Sequence, residues 1–163
     1  MSALTRSQFD IILSFLICFS VVVADRLTKI YFSDLLAYGE SLPVIRDVLH
    51  MNLVHNTGIA FGFFKDQGAV FIIIPIIAIA LLMYNIYYFR QNNEALSRLY
   101  VIAFSLILGG AIGNLFDRIT YGYVIDFIDF RIWPVFNIAD SAISIGALLI
   151  AYDCIKLSFQ KST

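Results

Sequence analysis

The run from Ala69 to Phe89 contains no formally charged side chain. About 21 residues of α-helix rise roughly 30 Å, the thickness of a bilayer's hydrocarbon core. Such a run belongs either in lipid or inside a large protein core. A large core needs polar surface to cover it, and this chain of 163 residues is 60% hydrophobic and only 14% charged. A soluble domain carries about 25% charged residues. The aromatic share of 15% suits rings at a membrane–water interface. The chain reads as one small integral membrane domain, residues 1–163.

Three further apolar segments fit the same reading. Arg6 precedes the run Ile11–Ala24, which looks like a secretory signal peptide, and FLIC ending at Cys18 hints at a lipoprotein cleavage site. Ile17, however, stands where a small residue is needed, and no small-x-small site follows. The helix can continue through Asp25 and Lys29 to Phe32, so a retained first span is expected. Asp25 and Lys29 are four apart, an orientation that favours an ion pair on one helix face. The expected spans are about 11–32, 69–89, 99–115 and 136–159. In the third, Gly109 and Gly113 form a small-xxx-small pair that permits close helix approach. Four spans put both termini on one side. The basic residues are Arg6, Arg90, Arg98, Lys156 and Lys161 on that side, against Arg26, Lys29, Arg46, Lys65, Arg118 and Arg131 on the other. Five against six leaves the orientation open.

Residues 33–67 are too polar to span and too apolar for a solvated linker. Pro43 and the run LHMNLVHN suggest short extended segments with Leu49, Met51 and Leu53 on one face. A small β-like extramembrane platform between the first two helices is expected, with Gly58 and Gly62 at tight or pliable backbone. The fold class is therefore all-α, four transmembrane helices with that platform.

Several functions have no foothold. The net charge of −1 and the lack of a basic run give no pull toward nucleic acid. Cys18 and Cys154 form no CxxC and read as apolar packers. His50 and His55, five apart in an extended stretch, fall on opposite faces. GxSxG and phosphate-cradling glycine loops are absent from the sequence.

Polar chemistry is concentrated between Gly109 and Ser144, which carries Asn114, Asp117, Arg118, Asp126, Asp129, Arg131, Asn137 and Asp140. A carboxylate at membrane depth costs about 2.5–3.5 kcal/mol on insertion scales, so isolated ones are rare. Asn137, Asp140 and Ser144 share one helix face near the start of the last span, and Asp126 lies in the loop before it. Two carboxylates within about 4 Å repel by roughly 4 kcal/mol at an effective dielectric of 20. One then keeps its proton while the other ionises, and such a pair can act as base toward water and as acid toward a leaving amine. Spacing alone favours a plainer arrangement, in which each aspartate pairs with Arg118 or Arg131 and only ties loop to helix. Arg118 is expected to pair with Asp117 or Asp129.

Five motifs shift that balance. DRLTK (25–29), NTGIAFG (56–62), GGAIGNLFDR (109–118), VIDFID (124–129) and FNIAD (136–140) occur in this order. Together they resemble the motif set of the lipoprotein signal peptidases, or signal peptidase II, over nearly the whole chain. The resemblance implies a bacterial inner-membrane aspartic endopeptidase that cleaves prolipoproteins on the amino side of a diacylglyceryl-modified cysteine. It places the catalytic dyad at Asp126 and Asp140. Supporting positions fall on Asn56, Asn114, Arg118, Asp129, Asn137, Asp25 and Lys29. It puts both termini in the cytoplasm and the dyad near the outer leaflet, and implies no metal or organic cofactor. The expected partners are lipid-modified prolipoproteins and the phospholipid bilayer, and a monomer is expected. A proton-coupled carrier would instead hold its carboxylates at mid-span, and a membrane scaffold would not need them.

Overall fold

A computed structural model of the chain describes residues 5–58 and 97–161, with short helical pieces between 72 and 84. Helix α1 spans Arg6–Leu35 and opens on a capping box, in which Thr5 and Gln8 each accept the other's backbone N–H. Helix α2 spans Arg98–Tyr121. Ser97 caps its start, and Gly122, at φ +80°, ends it in the left-handed conformation. Helix α3 spans Ile138–Lys161. Among the described residues, three segments are long and apolar enough to cross a membrane: Gln8–Leu35, Arg98–Tyr121 and Ile138–Lys156, with mean hydropathies of 2.1, 2.0 and 1.6. The expected span 69–89 lies largely outside the described residues, as do Gly62 and Lys65.

Helix α2 is the central element and packs against both α3 and α1. Its glycines make this possible, because each stands where a neighbour leaves no room for a methyl group. A Cβ on Gly109 would lie 2.8 Å from the Val21 Cβ, and one on Gly113 would lie 2.7 Å from Asp25 Oδ2. A Cβ on Gly110 would collide with the Ala139 carbonyl oxygen. The expected pair Gly109 and Gly113 faces α1, while Gly110 admits the start of α3. On α3, Gly146 repays the contact: a Cβ there would meet the Ala103 carbonyl oxygen at 2.6 Å. Lipid-compatible side chains such as Phe15, Phe19 and Leu148 remain exposed on the outside of the bundle.

A three-stranded antiparallel sheet, ordered β1-β2-β3, sits at one end of the helices. Its strands are β1 (Ser41–Ile45), β2 (Leu49–Asn56) and β3 (Val124–Asp129). Two features differ from the sequence expectation. The chain does not leave the helix at residue 115, and α2 runs on to Tyr121. Asp117 can stay helical because Arg26 and Lys29 from α1 neutralise it. The sheet is also not confined to the segment after the first helix. The stretch holding Asp126 is its third strand rather than a loop, in register with β2 at Val54↔Asp126 and Asn56↔Val124. Leu36, Leu53 and Ile125 form a small core where α1 meets the sheet, with Phe32, Met51 and Tyr123 packed around it.

Candidate active site

The polar centre lies where β3, the C-terminal half of α2 and the first turn of α3 converge. Asp126 is 1% exposed, and Asn137 is fully buried beside it. Asp126 Oδ1 accepts from Asn137 Nδ2 at 2.7 Å, and Oδ2 accepts from Asn56 Nδ2 at 2.8 Å. Asp140 Oδ1 accepts from Asn114 Nδ2 at 2.7 Å. Its Oδ2 accepts from the Asn137 backbone N–H at 3.3 Å. Asn137 therefore touches both carboxylates, one through its side chain and one through its backbone. A further bond, Asn137 Nδ2 to Asn114 Oδ1 at 3.0 Å, closes the network across α2 and α3.

Local sequence explains this placement. Asn137 is the N-cap of α3, and its Oδ1 accepts the Asp140 N–H at 2.8 Å while Asp140 accepts in return. That is a capping box, with Asp140 at the third helical position. Asp126 is held by its strand register opposite Val54, two residues from the Asn56 that donates to it.

The electrostatics separate these groups. Burial, together with the Asp140 charge, pushes Asp126 up to about 7, although the Asn56 and Asn137 amides oppose the shift. Burial also works against ionisation of Asp129. The Arg131 backbone N–H, the Asn52 amide and the Arg131 guanidinium overcome it and hold Asp129 below the usual carboxylate range. Asp129 belongs to a separate group: it bonds to Asn52 at 3.3 Å and to Arg131 Nη1 at 3.1 Å, at the other end of β3.

Arg118 makes neither of the ion pairs expected for it. Asp117 turns instead toward Arg26 and Lys29, and Asp129 pairs with Arg131. Arg118 donates to the Asn114 carbonyl oxygen at 3.5 Å, and the charges acting on it are those of Asp140, Asp126 and Asp117. The expected pair of Asp25 and Lys29 forms at 2.8 Å, with both side chains fully buried.

Sequence reasoning leaves Asp117 and Arg26 out of the site residues, with Asp117 expected only as a partner for Arg118 and Arg26 quoted only within DRLTK. Asp117 is fully buried, accepts the Ile125 N–H at 3.1 Å and binds both cations of α1. The Arg26 guanidinium also lies 4.6 Å from the Phe116 ring centroid, a cation–π distance. A countable signal existed: the motif DRLTK carries two cations and only one carboxylate. Among the described residues, no group of three or more His, Cys, Asp and Glu is arranged to hold a metal ion.

Known proteins are similar to this chain in sequence and in fold. The lipoprotein signal peptidase of Halothermothrix orenii is 42% identical over 139 residues, covering 85% of this chain and 92% of its own. That of Clostridium tetani is 41% identical, covering 83% and 87%. A bacterial membrane enzyme solved by the in meso method at 2.3 Å resolution superimposes with a TM-score of 0.80 at 35% identity, covering 91% of each chain. The signature of signal peptidase (SPase) II matches residues 17–156. With that match laid over the network around Asn137, the chain belongs to the signal peptidase II family.

Proposed function

We propose that the chain is an aspartic endopeptidase that removes the signal peptide from diacylglyceryl-modified prolipoproteins, cleaving on the amino side of the lipidated cysteine. The observation that carries this reading is Asn137, bonded to Asp126 and Asp140 at once. Two carboxylates held around one amide, one of them raised to about 7, supply an acid and a base at neutral pH.

The steps follow from those roles. Asp140 takes a proton from water as the water oxygen attacks the scissile carbonyl carbon. Asp126 gives its proton to the carbonyl oxygen, which leaves a neutral gem-diol. The C–N bond then breaks as Asp140 passes its proton to the leaving amine of the cysteine. Asp126 recovers a proton from the gem-diol as the carboxyl group forms. Arg118, with its head group in the field of both aspartates, is suited to a substrate carbonyl or an anionic lipid head group. Asn56 and Asn114 orient the carboxylates, and Asp129 braces the end of β3.

A site between membrane helices and next to a sheet reaches a lipid-bearing substrate from one side and water from the other. We place the protein in the bacterial inner membrane as a monomer with a single membrane-embedded domain. Both termini are cytoplasmic and the dyad lies near the outer leaflet. The test is to assay Asp126→Asn and Asp140→Asn separately on lipid-modified prolipoprotein. Each is expected to lose cleavage while folding normally, and near-normal cleavage by either one removes the dyad.

A further inference from the structure

Lys29 is fully buried on α1, yet its ammonium contacts three side chains from two helices. It lies 2.8 Å from Asp25 Oδ2, 2.8 Å from Asp117 Oδ2 and 3.1 Å from Asn114 Oδ1. The remaining bonds of those three partners form a pattern. Asp25 Oδ1 accepts the backbone N–H of Ala139 at 3.1 Å, and Ala139 immediately precedes Asp140. Asp117 Oδ2 accepts the backbone N–H of Ile125 at 3.1 Å, and Ile125 immediately precedes Asp126. Asn114 Nδ2 donates to Asp140 itself.

We infer that Lys29 is the positioning residue of the site: one ammonium clamps two carboxylates, each of which grips the peptide group next to one aspartate of the pair. This role rests on Asp126 and Asp140 being the reacting residues.

Three physical points support it. The Ala139 N–H is one of the unpaired amides in the first turn of α3, where a carboxylate is favoured by both hydrogen bonding and the helix dipole. Asp25 supplies that carboxylate from another helix, so α1 fixes where α3 begins. The Ile125 N–H belongs to β3, an edge strand of the sheet paired with β2 on one side only. Asp117 takes that N–H and so anchors the strand to α2. Finally, an amide side chain can be turned either way, and an ammonium can only donate. Lys29 therefore requires the oxygen of Asn114 to face it, which leaves the Asn114 NH₂ for Asp140. The cluster is neutral overall: Asp25 and Asp117 are matched by Lys29 and Arg26.

Removing the ammonium leaves Asp25 and Asp117 facing one another, takes away one of the two donors to Asn114 Oδ1, the other being Asn137 Nδ2, and releases both grips together. The groups that then still face Asp126 are Asp140 from α3 and Arg118 from α2.

The test uses the full chain in detergent micelles with a diacylglyceryl-modified prolipoprotein. It compares wild type, Asp126→Asn, Lys29→Met and Asp117→Asn. Lys29→Met is expected to lower kcat about 100-fold, the scale of a displacement of about 1 Å, with KM within about threefold. Amide hydrogen exchange at Ile125 and Ala139 is expected to quicken, while Ala103, deep between α2 and α3, keeps its protection. The alkaline limb of the kcat profile moves to higher pH, since the Lys29 charge no longer favours ionised Asp126. A merely structural role would lower the amount of folded enzyme and leave the profile where it was.

If Lys29→Met does not fold, Asp117→Asn decides. It keeps an oxygen for Ile125 but leaves the Lys29 charge less compensated, and should cut kcat about 10-fold with the limb moving the opposite way, to lower pH. A folded Lys29→Met with kcat within about threefold of wild type overturns the clamp, as does an unmoved limb in Asp117→Asn. Cleavage by Asp126→Asn would instead remove the dyad itself, so the two failures are distinct.

Discussion

Asn137 and Asp140 hold each other across the first turn of α3. The Asp140 N–H donates to Asn137 Oδ1 at 2.8 Å, and the Asn137 N–H donates to Asp140 Oδ2 at 3.3 Å. The same Asn137 side chain donates to Asp126 at 2.7 Å. The helix cap and the bridge between the two aspartates are one residue, so stability and chemistry meet there.

Asn137→Ala separates the two contributions. Losing an N-cap costs about 1 kcal/mol of stability, which a membrane bundle of this size can absorb. Losing the bridge leaves Asp126 without its shortest amide contact and Asp140 without its cap, and kcat is expected to fall about 100-fold. Thermal melts and steady-state cleavage on the same preparation check this. A loss of activity no larger than the loss of folded protein would reduce Asn137 to a cap.

Gly110 predicts a steric effect. A methyl group there meets backbone, the Ala139 carbonyl oxygen, which cannot rotate aside. Gly110→Ala is therefore expected to cost about 3 kcal/mol, the upper end for overpacking, and to push the start of α3 away from α2. Activity should fall further than stability because Asp140 moves with that turn. Gly122 is the control: its φ of +80° strains alanine, but nothing lies within 4 Å. Gly122→Ala should cost about 1 kcal/mol and keep cleavage. Equal activity in the two variants would show that helix approach at Gly110 does not set the site.

The parts of this architecture that were legible in the sequence are those with local causes. The ion pair of Asp25 and Lys29 follows from a four-residue helical spacing, and the helices follow from long apolar runs. Gly110 stands beside a more familiar glycine pattern and faces a different helix, which no spacing of its own helix reveals. β3 was hidden for a related reason. VIDFID is buried along almost its whole length, so it lacks the alternation that marks a half-exposed strand, and its partner β2 lies about 70 residues earlier. Asp117 and Arg118 are adjacent, and local spacing offers Arg118 both Asp117 and Asp129 as partners. The surroundings of Asp117 depend on α1 crossing α2, and those of Arg118 on β3 and α3 meeting α2, tertiary facts with no short-range trace.

The two cysteines provide a negative prediction. Cys154 is exposed on α3, and Cys18 is half-buried on α1, where its carbonyl oxygen faces Gly109. Neither makes any of the bonds around Asn137. Cys18→Ala and Cys154→Ala should each cleave within about twofold of wild type, and the wild-type enzyme should keep its activity after thiol alkylation. Inactivation of either variant with its fold intact would point to a thiol mechanism.

The raised value of Asp126 makes a prediction about stability as well as rate. Its carboxyl is pushed from 3.8 in the unfolded chain to about 7 in the fold, first by burial and then by Asp140. Between those values the folded chain holds a proton that the unfolded chain has released, so stability falls as pH rises across the window. The contribution is complete below about pH 4 and lost once pH passes about 7. Asp126→Asn has no such proton and stays neutral throughout, with its single oxygen able to keep one of the two amide contacts. Its melting temperature should exceed that of wild type by several degrees at pH 8, with the gap closing toward pH 4. In the proposed mechanism cleavage depends on the same proton, since Asp126 donates to the carbonyl oxygen. The kcat profile should therefore decline on its alkaline side near pH 7. Melts of both proteins from pH 4 to 8, set beside the wild-type rate profile, check the two effects together. A melting-temperature gap independent of pH would mean that Asp126 is not the group titrating near neutrality.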